Sequence, residues 1–200
     1  MKTKILTSLI LFAVLITSCN KPVYQNRELT DVDKSMIPYE LGQTVSFVGA
    51  EGQPLVLTVT EDTIRFVADR QMDNLYYKYS SRSVSLQSEN LRIFLSVNSY
   101  NSYKSREGYN FINVSVNTNT ETTWVYYAIY YDKEGNFLEQ GGNFIYGSKE
   151  INGNVYYDVV ECKTDKGVNG QSVVPTQFFY NKTYGILQIN RDGENFFTLQ

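Results

Sequence analysis

From Tyr39 onward the chain consists of short runs in which apolar residues recur at every second position, and that period selects strands over helices. The clearest run places Leu91, Ile93, Leu95 and Val97 on one face and Arg92, Ser96 and Asn98 on the other. Ile112, Val114 and Val116 alternate with Asn113, Ser115 and Asn117 in the same way. Val45 and Phe47, then Leu55, Leu57 and Val59, flank a turn at 49–54, and Ile64, Phe66 and Ala68 continue the rhythm. Such strands have one dry and one wet face. Segments 124–131 and 155–160 are apolar or aromatic on both faces, which marks them as central or covered strands.

Turn signals separate the runs: Asp132-Lys133-Glu134-Gly135-Asn136, Asn152-Gly153-Asn154, Asn181-Lys182 and Asp192-Gly193. Asn-Gly and Asp-Gly tolerate the positive φ of tight hairpin turns, so segments 185–190 and 195–199 are read as a hairpin. No segment carries helical periodicity. About a dozen strands with connections this short define an all-β fold. The expected architecture is an antiparallel meander curled into a barrel-like or roll form, with a two-sheet β-sandwich as the alternative.

The N-terminus reads as an address. Lys2 and Lys4 precede an apolar stretch at 5–16, shorter than the roughly 20 residues that span a bilayer. Ile16-Thr17-Ser18-Cys19 resembles a lipobox, which implies cleavage before Cys19 and acylation of its sulfur. Residues 1–18 are thus a lipoprotein signal peptide, 19–38 a polar tether bounded by Pro22 and Pro38, and 39–200 a single all-β domain. Acyl chains contribute about 0.8 kcal/mol per buried methylene, so the expected partner of Cys19 is a membrane. Losing Lys2 and Lys4 with the signal leaves 16 basic against 21 acidic residues, a net −5 that argues against nucleic acid.

The chain contains no histidine, which removes Ser-His-Asp and Cys-His catalysis and His-ligated zinc. With Cys19 acylated, Cys162 has no partner within the chain and sits in the strand-like Val159-Val160-Glu161-Cys162, where a buried, inert thiol is expected. Paired carboxylates could still support glycoside hydrolysis. Asp158 and Glu161, three apart on a strand, point to opposite faces, and no other spacing singles out a pair. Asp132, Glu134 and Asn136 alternate around Gly135 like some calcium loops, but without the twelve-residue pattern and distal Glu they read as a turn. The expectation is a protein that is not an enzyme, with no cofactor and no metal.

Ile151-Asn152-Gly153-Asn154-Val155-Tyr156-Tyr157-Asp158-Val159-Val160, with the run from Phe179 through Tyr184 to Ile189 and Asp192-Gly193-Glu194, resembles the closing strands of small uncharacterised β-rich lipoproteins of the Bacteroidota. The resemblance covers about fifty residues and implies a β-rich fold and a cell-envelope, outer-membrane setting rather than a reaction. Surface export in that group goes with acidic residues soon after the acylated cysteine. Here Asn20-Lys21-Pro22-Val23 follows, leaving the periplasmic and the surface face both open. Asp62-Thr63-Ile64 also resembles the group's short acceptor motif for O-linked glycans, and reads equally as a turn entering a strand.

The chain has 17 Tyr and 11 Phe, and tyrosine's large apolar face and polar tip suit sugars, protein partners and half-buried sheet faces alike. Tyr100, Tyr103 and Tyr109 lie in a segment, 98–110, that reads as a long polar loop, which makes them the candidate ligand-binding residues. The function expected is a lipid-anchored, extracytoplasmic, non-catalytic binding module for a glycan, peptide or envelope partner. The alternatives are a structural or assembly protein, a lipocalin-like carrier, and a carboxylate-only glycoside hydrolase.

Overall fold

Period-two alternation becomes a succession of strands in a computed structural model that describes residues 23–72, 75–99, 109–118, 125–163, 177–191 and 194–200. Cys19, Tyr100 and Tyr103 lie outside the described residues. The strands are β1 (Val23–Arg27), β2 (Thr44–Gly49), β3 (Pro54–Met72), β4 (Leu75–Gln87), β5 (Leu91–Asn98), β6 (Asn110–Thr118), β7 (Val125–Tyr131), β8 (Phe144–Ile151), β9 (Asn154–Lys163), β10 (Gln177–Asn181), β11 (Gly185–Arg191) and β12 (Glu194–Leu199). One short helix, α1 (Asp31–Ser35), lies between β1 and β2.

β2 to β12 form a single antiparallel sheet that curls through 271° into a half-barrel, the barrel-like form rather than a sandwich of two sheets. The order β7-β6-β5-β4-β3-β2-β12-β11-β10-β9-β8 describes two meanders joined where β12 pairs with β2. That seam matches Phe197 with Gly49, Thr198 with Val48 and Leu199 with Phe47. β11 and β12 pair as their turn signal indicates, with Asn190 opposite Asn195. Asn152 and Gly153 both take positive φ in the tight turn joining β8 to β9.

The concave face is dry. Phe47, Leu57, Val59, Val84, Leu86 and the four apolar residues of β5 are all buried in one core cluster with side chains of the second meander. Opposite walls meet at Tyr127 of β7 and Phe178 of β10, whose rings pack edge to face with centroids 4.6 Å apart. Cys162 faces this core, and burial, reinforced by the nearby charge of Glu161, pushes its thiol pKa up, which keeps it protonated.

The end of the half-barrel is plugged by residues from the stretch that reads as a tether. Leu29, Met36 and Ile37 of that stretch belong to the core cluster together with Tyr39, so the packed unit begins well before residue 39. A five-residue helix does not stand alone, and each turn of this one is tied to the sheet. Thr30 and Asp33 form a capping box, and the buried Asp33 Oδ1 accepts from Asn110 Nδ2 at 3.0 Å and from the Tyr131 hydroxyl at 2.8 Å. Tyr180 donates to the Met36 carbonyl. Arg82 of β4 donates to the carbonyls of Lys34, Ile37 and Tyr39 and forks onto Asp62 of β3 at 2.9 Å through both Nε and an Nη.

Three features depart from the sequence reading. β3 and β4 form one long hairpin running past the plug, and its Ile64 and Phe66 are 52% and 62% exposed instead of buried. A register shift between Val59 and Glu61 keeps Asp62 and Ile64 on the face of Val84 and Arg82. β7 is the last strand of the sheet rather than a central one. Its outer edge is covered by the connection to β8: Leu138 N–H donates to the Tyr130 carbonyl at 2.9 Å, and Asn143 Nδ2 to that of Ala128 at 2.7 Å.

Arg82→Met would orphan three plug carbonyls and Asp62 together, and a loss of about 3–5 kcal/mol is expected in urea unfolding. Arg82→Lys recovers only part, because an ammonium cannot reproduce the planar fork. Gly185 has φ 77°, and a Cβ there would collide with the Tyr39 phenol that accepts from Ile186 N–H at 2.7 Å. Gly185→Ala should therefore cost about 2–4 kcal/mol. The cost should shrink in a Tyr39→Ala background when the double-mutant cycle is measured.

Candidate functional site

The convex face of β5, β6 and β7 carries an open groove of about 360 Å³ lined by Arg92, Phe94, Ser115 and Tyr126. Its construction follows from register. Phe94 pairs with Ser85 on one side and Ser115 on the other, and Ser115 pairs with Tyr126, so serine and aromatic side chains alternate across four strands. The small Ser115 leaves a slot between two aromatic walls whose strands stand about 10 Å apart. Tyr126 is 70% exposed. Arg92 closes one end, with its Nε donating to Ser85 Oγ at 3.3 Å and the rest of its fork without a partner among the described residues. The groove thus combines flat apolar walls with unengaged donors, the chemistry that grips a ring bearing hydroxyls or an extended peptide.

Tyr109 does not reach this groove. It precedes β6, half-buried, with its ring edge-on to Tyr130 at a centroid distance of 5.5 Å, and Phe111 lies against the same Tyr130. Six residues of strand, about 20 Å, separate it from Ser115. One signal for the groove was present in the sequence: Phe94 is an aromatic residue on the otherwise polar face of β5. Ser115 and Tyr126 acquire their meaning only through pairing.

A second polar cluster lies on β8, β9 and β10. Buried Glu161 accepts from the Tyr146 hydroxyl, Lys163 Nζ and Gln177 Nε2, and Asn190 Nδ2 extends the network to Gln177 Oε1 at 2.7 Å. Lys149 Nζ sits 4.5 Å above the Tyr146 ring and 4.4 Å above that of Phe179. Burial raises the pKa of Glu161, but the three hydrogen bonds and the Lys163 charge outweigh it and hold the carboxyl below its ordinary range. Its hydrogen bond, with burial and its charge, pushes Tyr146 up to about 12. A carboxylate satisfied on both oxygens holds strands together and has little capacity left for a substrate.

Asp132 is engaged likewise. Its oxygens accept from the N–H groups of Glu134 and Asn136 and from Asn136 Nδ2, each at 2.9 Å. Burial works upward on its pKa, but these bonds together outweigh it and bring it down, so the carboxylate folds its own turn. Among the described residues no group of acidic or thiol side chains has the arrangement of a metal site. Comparison with protein-family models, curated proteins and solved structures finds no match to this chain.

The lowered pKa of Glu161 fixes the sign of a pH effect. Its contribution to stability is complete above the unfolded value near 4.3 and is lost as pH falls through the lower folded value. Glu161→Gln should be less stable than the native chain at pH 7, and the gap should narrow below about pH 4 in thermal unfolding.

Proposed function

We propose that this protein is a lipid-anchored binding module of the cell envelope, held to the outer membrane through Cys19, that engages a glycan or an extended peptide on its convex face. The observation that carries the reading is the slot between Phe94 and Tyr126, with Arg92 at its end. The packed concave face supports an external site: a lipocalin-like carrier needs room inside the barrel, and here Tyr127 meets Phe178 across it. The engagement of Glu161 by Tyr146, Lys163 and Gln177 favours binding over carboxylate hydrolysis at that residue. The lipobox-like run and the likeness of the closing strands to Bacteroidota lipoproteins support the envelope setting, and the missing histidine favours binding over catalysis.

A glycan array and a pulldown from envelope extract, both run with the native chain, test the reading. Tyr126→Ala and Phe94→Ala should each weaken any detected interaction at least tenfold, about 1.4 kcal/mol. Tyr109→Ala, remote from the groove, serves as the control. Binding that survives both groove substitutions but is lost in Tyr100→Ala with Tyr103→Ala would move the site to the loop.

A further inference from the structure

β1 joins the sheet where the barrel has already ended. Its residues pair in parallel with the first part of β4, from Val23 with Leu75 to Arg27 with Tyr79, while β3 continues alongside as far as Met72. Beyond Ser81, the last β4 residue paired to β5, the three strands form an arm. From Arg65, opposite Ser81, to Met72 it extends about 25 Å. The inner end of β1 is fastened to the barrel: Ser99 Oγ donates to the Arg27 carbonyl at 2.9 Å, Leu29 N–H to Ser80 Oγ at 2.6 Å, and Leu29 itself is buried. The chain therefore enters as a strand of fixed direction, with Val23 at the arm's tip.

Only Asn20, Lys21 and Pro22 separate Val23 from Cys19, a reach of about 14 Å at full extension. We propose that the tip of the arm rests on the lipid headgroup surface and that the arm holds the barrel off the membrane, with the groove displayed on the far side. This rests on the reading of Cys19 as acylated. Arg92 of the groove pairs with Gln87, twelve residues along β4 from Leu75, so the groove stands about 40 Å from the tip. A loose tether would let the barrel lie against the bilayer in any orientation; three residues leading into a paired strand do not.

Neutron reflectometry on the full acylated chain, reconstituted in supported bilayers of phosphatidylethanolamine and phosphatidylglycerol, tests this. The expected profile is a thin protein layer about 25 Å deep next to the headgroups, followed by a dense layer from the barrel. Gln25→Pro removes a backbone donor within β1 and should collapse that gap. A second variant, with twelve Gly/Ser residues inserted between Pro22 and Val23, leaves β1 intact and should blur the profile. Dense protein at the headgroups of the native chain, or a profile unchanged in the insertion variant, overturns the proposal. Mass spectrometry of the N-terminal peptide separates the two possible failures. An unacylated Cys19 removes the anchor and the arm's role together, whereas an acylated Cys19 with a flush barrel removes the arm's role alone.

Discussion

Arg82 has five N–H donors, and all five are used: three on carbonyls of the segment that plugs the barrel and two on the Asp62 carboxylate. The plug needs such help, because a helix as short as α1 has too few internal bonds to hold its own shape. What fastens it comes from both meanders. Arg82 and Asn110 belong to the first, with Tyr131 at its far end, while Tyr180 and the Ile186 N–H belong to the second. The polar groups at this end of the core thus join two halves of the sheet that otherwise meet at a single seam and through apolar contact.

A sheet curled through 271° leaves two strands at its ends, and unpaired edges invite association. The chain protects one of them with its own connection. Phe137 bridges to Tyr131, and the Leu138 N–H and the Asn143 amide take up carbonyls of β7, so the segment between β7 and β8 acts as a partial extra strand. That also explains why β7 is apolar on both faces without being central. Tyr127, Ile129 and Tyr131 point into the core, while Tyr130 on the other face is packed by Tyr109 and Phe111.

The strands with strict alternation were legible in the sequence because one-sided burial is all that their pattern encodes: Leu91, Ile93, Leu95 and Val97 face inward as their spacing indicates. The outer half of the β3–β4 hairpin was not, since Ile64 and Phe66 keep the same rhythm although no second layer covers them. The plug was also illegible. Leu29, Met36 and Ile37 are spread among polar residues without a period, and they are buried by the concavity they close rather than by a face of their own. Of the candidate site, Phe94 could be noticed as an aromatic residue on a wet face. Its alignment with Ser115, and through Ser115 with Tyr126, depends on register across three strands, which no local pattern specifies.

The seam between β2 and β12 has a kinetic consequence. Phe47 and Leu199 pair across about 150 residues, so the concave face cannot be enclosed until every strand between them is available. Until then the chain carries two incomplete meanders with open edges and a half-covered core, the species most exposed to aggregation and proteolysis. For a sheet of this topology the slow step of folding is this long-range closure, and it is the stage at which a chaperone would have most to protect.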